Sequence, residues 1–216
     1  MNFRIEILTQ NNFNKWNGFV DNSPQGSLFC FTWYLDCLNF NYDILTVQDD
    51  NQNIFAGIIL IKNEINLFSN PIFVKHLGVL FDNNSIKFKD EALRYKVSKI
   101  LTDYLSQYKS FDYYFHPNYV NWIPFSWSSF SQQSRYTYQL DLTKSSEFIF
   151  NSYHEKLRND IKNAIKKDIE IITEIEPLIF YNTINKTFLR QGSKAPFSEK
   201  KLLSFISNLK SKSCFL

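Results

Sequence analysis

Glycine and proline are scarce in this chain, at 5 and 6 of 216 residues, which excludes collagen-like repeats and long flexible low-complexity segments. No Gly-x-Gly occurs, so neither the dinucleotide-binding fingerprint nor the phosphate loop of nucleotide-binding ATPases is present. No Gly-x-Ser-x-Gly occurs either, and a hydrolase nucleophile elbow has no support. The three cysteines, Cys30, Cys37 and Cys214, form no Cys-x-x-Cys. Their odd number fits a reducing compartment, with Cys30 and Cys37 as ordinary core residues. His76, His116 and His154 lie far apart without another His or Cys at metal-ligand spacing, and no metal is implied. Charge of one sign is also lacking. The 24 basic and 21 acidic residues leave +3, too little for affinity resting on dense cationic charge, so any anion recognition must be local. The apolar run Phe55 to Ile61 falls far short of the roughly 20 residues needed to span a bilayer. Met1 to Glu6 carries Asn2, Arg4 and Glu6 where a signal peptide needs continuous apolar residues. A cytoplasmic chain without a transmembrane segment is expected.

What is present is abundant aromatic and apolar material, with 22 Phe, 12 Tyr, 4 Trp and 44% hydrophobic residues. A chain of 216 residues makes one large or two small domains with a real core. The first 134 residues alternate strand and helix patterns. Phe3 to Leu8 alternates as a strand, and Phe13, Trp16 and Val20 share a helix face. Ser23-Pro24-Gln25-Gly26 is a turn, and Thr32 to Leu38 reads as a short helix. Ile44 to Val47 and Ile54 to Ile61 flank the turn residues Asp49 to Asn53, a hairpin pattern. Glu91 to Tyr108 places Leu93, Val97, Ile100, Leu101 and Tyr104 on one face. Phe111 to Phe115 returns as a strand, and an aromatic segment runs from His116 to Phe130.

After Arg135 the pattern restarts with a predicted strand, Tyr136 to Leu142. One long helix follows, capped by Thr143 or Ser145 and striped by Phe150, Tyr153, Leu157, Ile161 and Ile165. Ile169 to Thr173 is a predicted β-branched strand. Pro177 opens a helix that Gly192 stops, and Ser198 caps another carrying Leu202, Phe205, Ile206 and Leu209. Cys214-Phe215-Leu216 reads as the start of a strand without continuation, so the second unit is expected to be incomplete and to expose apolar surface that favours self-association.

The segment Glu155 to Lys167 carries the clearest candidate chemistry. Arg158, Lys162 and Lys166 stack at i, i+4 and i+8 beside the Leu157, Ile161 and Ile165 stripe. Such a ridge fits a phosphate grip, with Arg158 forking and the lysines supplying point charge. It equally fits a solvated face whose C-terminal lysines complement the helix dipole. Trp122, Phe125, Trp127 and Phe130 are expected to pack between two units. No Lys or Arg interleaves the aromatics between Lys109 and Arg135, which argues against base stacking with single-stranded nucleic acid.

Five motifs in order then resemble one family: Trp33-Tyr34-Leu35-Asp36; His76-Leu77-Gly78-Val79; Trp122-x-Pro124-Phe125-x-Trp127-x-x-Phe130; Arg135 to Tyr138 with Leu140-Asp141-Leu142; and Arg158-Asn159-Asp160-Ile161-x-x-Ala164. Together they resemble the GNAT-like acyltransferases related to the Fem peptidoglycan-bridge aminoacyltransferases. The resemblance implies an α/β (α+β) fold, a GNAT-like mixed sheet flanked by helices. One complete unit is expected over 1–134 and the start of a second over 135–216, so the chain is similar to a C-terminally truncated member. It also implies N-acyl transfer to an amino group of a cell-envelope sugar or peptide precursor, free or nucleotide-linked, with acyl-CoA as the donor substrate. By the same resemblance Trp33, Arg158, Lys162 and Arg190 bind substrate, Arg190 standing where relatives place an Arg against a sugar-nucleotide diphosphate. The catalytic residues stay unassigned. Two other readings stand beside this one: a non-catalytic truncated interaction module, and a transferase dependent on aminoacyl-tRNA, which needs a larger basic surface than the sequence carries.

Overall fold

The computed structural model describes residues 2–62, 67–83, 91–108, 110–167 and 169–212. Strand β1 (Arg4–Ile7) leads to helix α1 (Phe13–Asn22), where Trp16, Phe19 and Val20 bury one face. Helix α2 (Thr32–Cys37) precedes the hairpin of β2 (Tyr42–Gln48) and β3 (Ile54–Ile61). The predicted turn chemistry closes that hairpin. The Asp49 carboxylate accepts the backbone N–H groups of Asn51 and Asn53 at 3.0 and 2.8 Å and the Asn53 side-chain amide at 2.9 Å.

Strands β4 (Leu67–Ser69) and β5 (Leu80–Phe81) follow, then α3 (Glu91–Leu105), β6 (Ser110–Asp112) and α4 (Ile123–Trp127). One sheet has the order β1-β2-β3-β5 and is antiparallel throughout, while β4 and β6 form a small parallel pair. Every residue of β3 is buried, as expected of a strand covered on both faces. Trp16 seals it by lying directly on Gly57, where an added Cβ would come within 2.4 Å of the indole. The indole N–H donates to the Cys30 carbonyl at 2.8 Å. Helix α3 contributes Val97, Leu101 and Leu105 to the same core and packs against β1, β2 and β3. Buried Gln25 links distant segments, its oxygen accepting the Phe81 N–H at 3.0 Å and its amide donating to the Asn118 carbonyl at 3.1 Å. The result is the expected mixed α+β architecture, a sheet flanked by helices.

Four helices complete the described chain: α5 (Ser146–Ser152), α6 (Glu155–Lys166), α7 (Pro177–Arg190) and α8 (Glu199–Ser211). Pro177 starts α7, Gly192 at φ +73° follows its end, and Ser198 caps α8 by accepting the Lys201 N–H at 3.3 Å, all as predicted. Helix α7 packs on α8 and α8 packs on α2.

Several expectations are corrected. The single long helix is two, because Tyr153 adopts extended backbone and His154 starts a new cap, its Nδ1 accepting the Lys156 N–H at 3.3 Å. Ser145, rather than Thr143, caps the first of them, accepting the Phe148 N–H. Tyr136 to Leu142 and Ile169 to Thr173 are not strands. No strand among the described residues runs beside either, and unpaired extended backbone gains nothing from the ladder. The aromatic segment packs inward on the first half of the chain instead of toward the second. Phe125 is buried against Phe111 and Phe115, and Trp122 meets Phe115 and Tyr119. Trp127 stays 71% exposed with its edge on Tyr95. Residues before and after Arg135 meet through α8 instead. Cys214 to Leu216, read as a strand start, lie outside the described residues. Cys30 and Cys37 are buried and outside any disulfide, as expected.

Candidate functional site

The C-terminus of α2, the loop 71–74 and the N-terminal half of α8 enclose a cleft of about 260 Å³. Its walls include Cys37, Asn39, Phe73, Ser198, Lys201 and Phe205. Asn39 ends α2 at φ 55°, a left-handed conformation that Asn tolerates because its short amide can bond locally. Phe73 lies at φ 69°, a conformation unusual for a bulky side chain. Its surroundings over-determine it. The Tyr34 hydroxyl donates to the Phe73 carbonyl at 2.6 Å, while the Phe73 ring stacks parallel on Phe205 at 4.9 Å and tilts against Phe197 at 4.9 Å. Two strained non-glycine residues therefore face one cleft.

Helix α8 is held in place by buried Leu202 and Leu209 and by one polar link. The Asn208 amide donates to the Cys37 carbonyl at 3.0 Å and ties α8 to the end of α2. Lys201 points its ammonium over the Phe40 ring at 4.7 Å, and burial holds its pKa below the ordinary lysine value. Burial, followed by the charge of the nearby Cys37, pushes the Tyr34 hydroxyl up to about 12, so Tyr34 remains a donor through the neutral range. The cleft thus offers the ammonium groups of Lys200 and Lys201, the hydroxyls of Ser198 and Ser204, and two stacked rings. That set suits a ligand with an anionic part and an apolar or planar part.

The residues expected to bind substrate are distributed over different places. Trp33 is half-buried on α2, stacked on Phe31 at 6.1 Å and edge-on to Tyr34 at 5.9 Å; Tyr34 in turn meets Phe205. It therefore buttresses the cleft wall. Arg158 donates to the Asn151 carbonyl at 3.1 Å and tethers α6 to the end of α5. Lys162 is exposed on α6. Arg190 lies on the open face of α7 with Thr183, Lys186 and Thr187, its guanidinium 3.4 Å from the Thr187 hydroxyl. Helix α7 pairs with α8, and the surface around Arg190 is lined by Thr183, Lys186, Thr187 and Leu189, without Arg158 or Lys162.

Sequence reasoning passed over Lys201 and Phe73. One signal for the former was legible: Lys200 and Lys201 sit in the first turn of a helix, where the dipole disfavours cations. Phe73 gave none, since nothing local announces its positive φ. No protein-family model, curated protein or solved structure matches this chain.

Proposed function

We propose that this chain is an N-acyltransferase of the GNAT and Fem-related type, acting on an amino group of a cell-envelope sugar or peptide precursor, with acyl-CoA as donor substrate. The observation that supports the reading is the cleft at the α2–α8 junction, which combines lysine and serine groups with the Phe73 and Phe205 rings beside the Trp33 motif. In the reaction a neutral amine attacks the thioester carbonyl carbon. The N–C bond forms, the C–S bond breaks, and the ammonium proton leaves with the departing thiolate. The protein's contribution is positioning and charge stabilisation. Lys201 holds a phosphate or developing negative charge, Ser198 and Ser204 orient it, and the stacked rings carry the planar or apolar portion. The test is mass spectrometry of amino-sugar and peptide acceptors incubated with acetyl-CoA and the protein. N-acetylated product that falls strongly with Lys201→Ala supports the reading, and absence of product across the panel removes it.

A second reading is favoured by a different observation. Leu157, Ile165, Ile169, Ile171 and Ile172 are all exposed, which suits a non-catalytic module that uses its C-terminal half for contact with a partner or a second copy. An aminoacyl-tRNA-dependent transferase is the third reading. It predicts product only when charged tRNA replaces acetyl-CoA in the same assay.

A further inference from the structure

Behind the aromatic wall of the cleft, the segment through Lys75 and His76 runs beside the segment through Tyr114 and His116. The Leu77 N–H donates to the Tyr114 carbonyl at 3.1 Å, and the Tyr114 N–H donates to the Asn70 side chain at 2.8 Å. Two pairs of nitrogen-bearing side chains lie along these segments, Lys75 and Arg135 about the Tyr114 ring and His76 with His116. The Lys75 ammonium lies 5.6 Å from the centre of the Tyr114 ring, and the Arg135 guanidinium lies 4.5 Å from the same ring. The rings of His76 and His116 are 5.5 Å apart at 70°. Lys75 and Arg135 are both exposed, and neither forms an ion pair with a carboxylate among the described residues.

The histidines have defined but incomplete bonding. His116 Nδ1 accepts the Asn118 N–H at 3.2 Å, which places the neutral ring's proton on Nε2 and leaves that nitrogen as a donor. His76 Nδ1 is buried without a partner. A buried polar atom left unsatisfied is costly unless something completes it. The Cys30 thiol, 3.8 Å from the His76 carbonyl, and the Phe29 ring edge fix His76 in place. Cations gathered without counter-charge, beside an unsatisfied ring nitrogen, call for an anion with several acceptor oxygens.

We infer that Lys75, His76, His116 and Arg135 form a binding site for a phosphate-bearing small molecule. A phosphate suits the set better than a carboxylate. It carries up to two negative charges and enough oxygens to meet a guanidinium fork, an ammonium and an imidazole donor. Because its Nδ1 already accepts the Asn118 N–H, the His116 imidazole presents Nε2–H as a hydrogen-bond donor. The inference does not depend on the acyl-transfer reading, whose cleft is lined by other residues.

Protonation is coupled to occupancy. In the free protein burial first, then the charges of His116 and Lys75, hold His76 below the ordinary histidine value, and burial does the same for His116. A bound phosphate opposes both shifts, so affinity should rise as pH falls through the histidine range. The experiment is a titration of the histidine ring protons by NMR at fixed ionic strength. Inorganic phosphate and pyrophosphate are the probes, acetate is the control, and the proteins are wild type, Lys75→Ala and Arg135→Ala. His154, which caps α6, is the internal reference. Saturable shifts at His76 and His116 with either phosphate probe support the site, given titration at higher pH and about tenfold or greater weakening in each variant. The two probes separate a monophosphate from a diphosphate ligand. Equal responses to phosphate and acetate, or unchanged affinity in both variants, overturn it.

Discussion

Gly57 and Trp16 show how a single residue sets the packing of this core. The indole occupies the space a side chain on β3 would take, with a hypothetical Cβ only 2.4 Å from its ring. Gly57→Ala should therefore destabilise the protein by about 1–3 kcal/mol, the usual cost of overpacking, and urea denaturation will measure it. Gly18, with open space around its Cβ position, is the control: Gly18→Ala should be neutral or mildly stabilising. The His76 and His116 pair makes a pH prediction at the same scale. Their folded-state pKa values lie below the unfolded value of about 6.5, so the unfolded chain binds more protons as the solution is acidified. The stability this contributes is fully present above that value and is lost as pH falls through the folded pKa values. Denaturation at neutral and mildly acidic pH should show a loss on acidification, smaller in His116→Gln. An equal loss in that variant would contradict the assignment.

Among the elements, helix α8 matters most because it closes the cleft. Leu202 is its buried anchor, and Leu202→Ala should cost about 2 kcal/mol or more. Hydrogen exchange should quicken first in α8 and at the end of α2, since Asn208 and Cys37 are bonded to each other. A loss spread evenly over β2 and β3 would instead place Leu202 in the common core. The elements also divide by how readable they were. The β2–β3 hairpin, the starts of α7 and α8 and the stripe of α3 were legible because turn residues, caps and helical spacing act locally. The strands expected at Tyr136 to Leu142 and Ile169 to Thr173 were not, because a strand is real only with a neighbour, and neighbours are set by tertiary contacts. The break at Tyr153 and His154 was hidden because the apolar stripe continues across it. Trp33, singled out by its motif, stands behind the cleft wall against Tyr34 rather than in the lining. The pairing of α7 with α8 and the left-handed Phe73 are both products of packing.

For the whole molecule, the contrast is between a core built almost entirely from residues before Arg135 and a C-terminal half whose apolar faces are largely open. Among the described residues no helix is long and apolar enough to cross a membrane. Exposed apolar surface of this kind should drive concentration-dependent association, visible as a rising mass in light scattering and reduced by Ile171→Asp with Ile172→Asp. A constant monomer mass in the unmodified chain would contradict it. The proposed acyl transfer requires ligand to be recognised at the α2–α8 junction rather than on the basic ridge of α6. Hydrogen exchange of the intact chain with and without acetyl-CoA and a UDP-linked amino sugar tests it most directly. Protection is expected at residues 37–39, 71–74 and 198–205, weakened by Lys201→Ala; protection centred on Arg158, Lys162 and Arg190 would overturn the proposal.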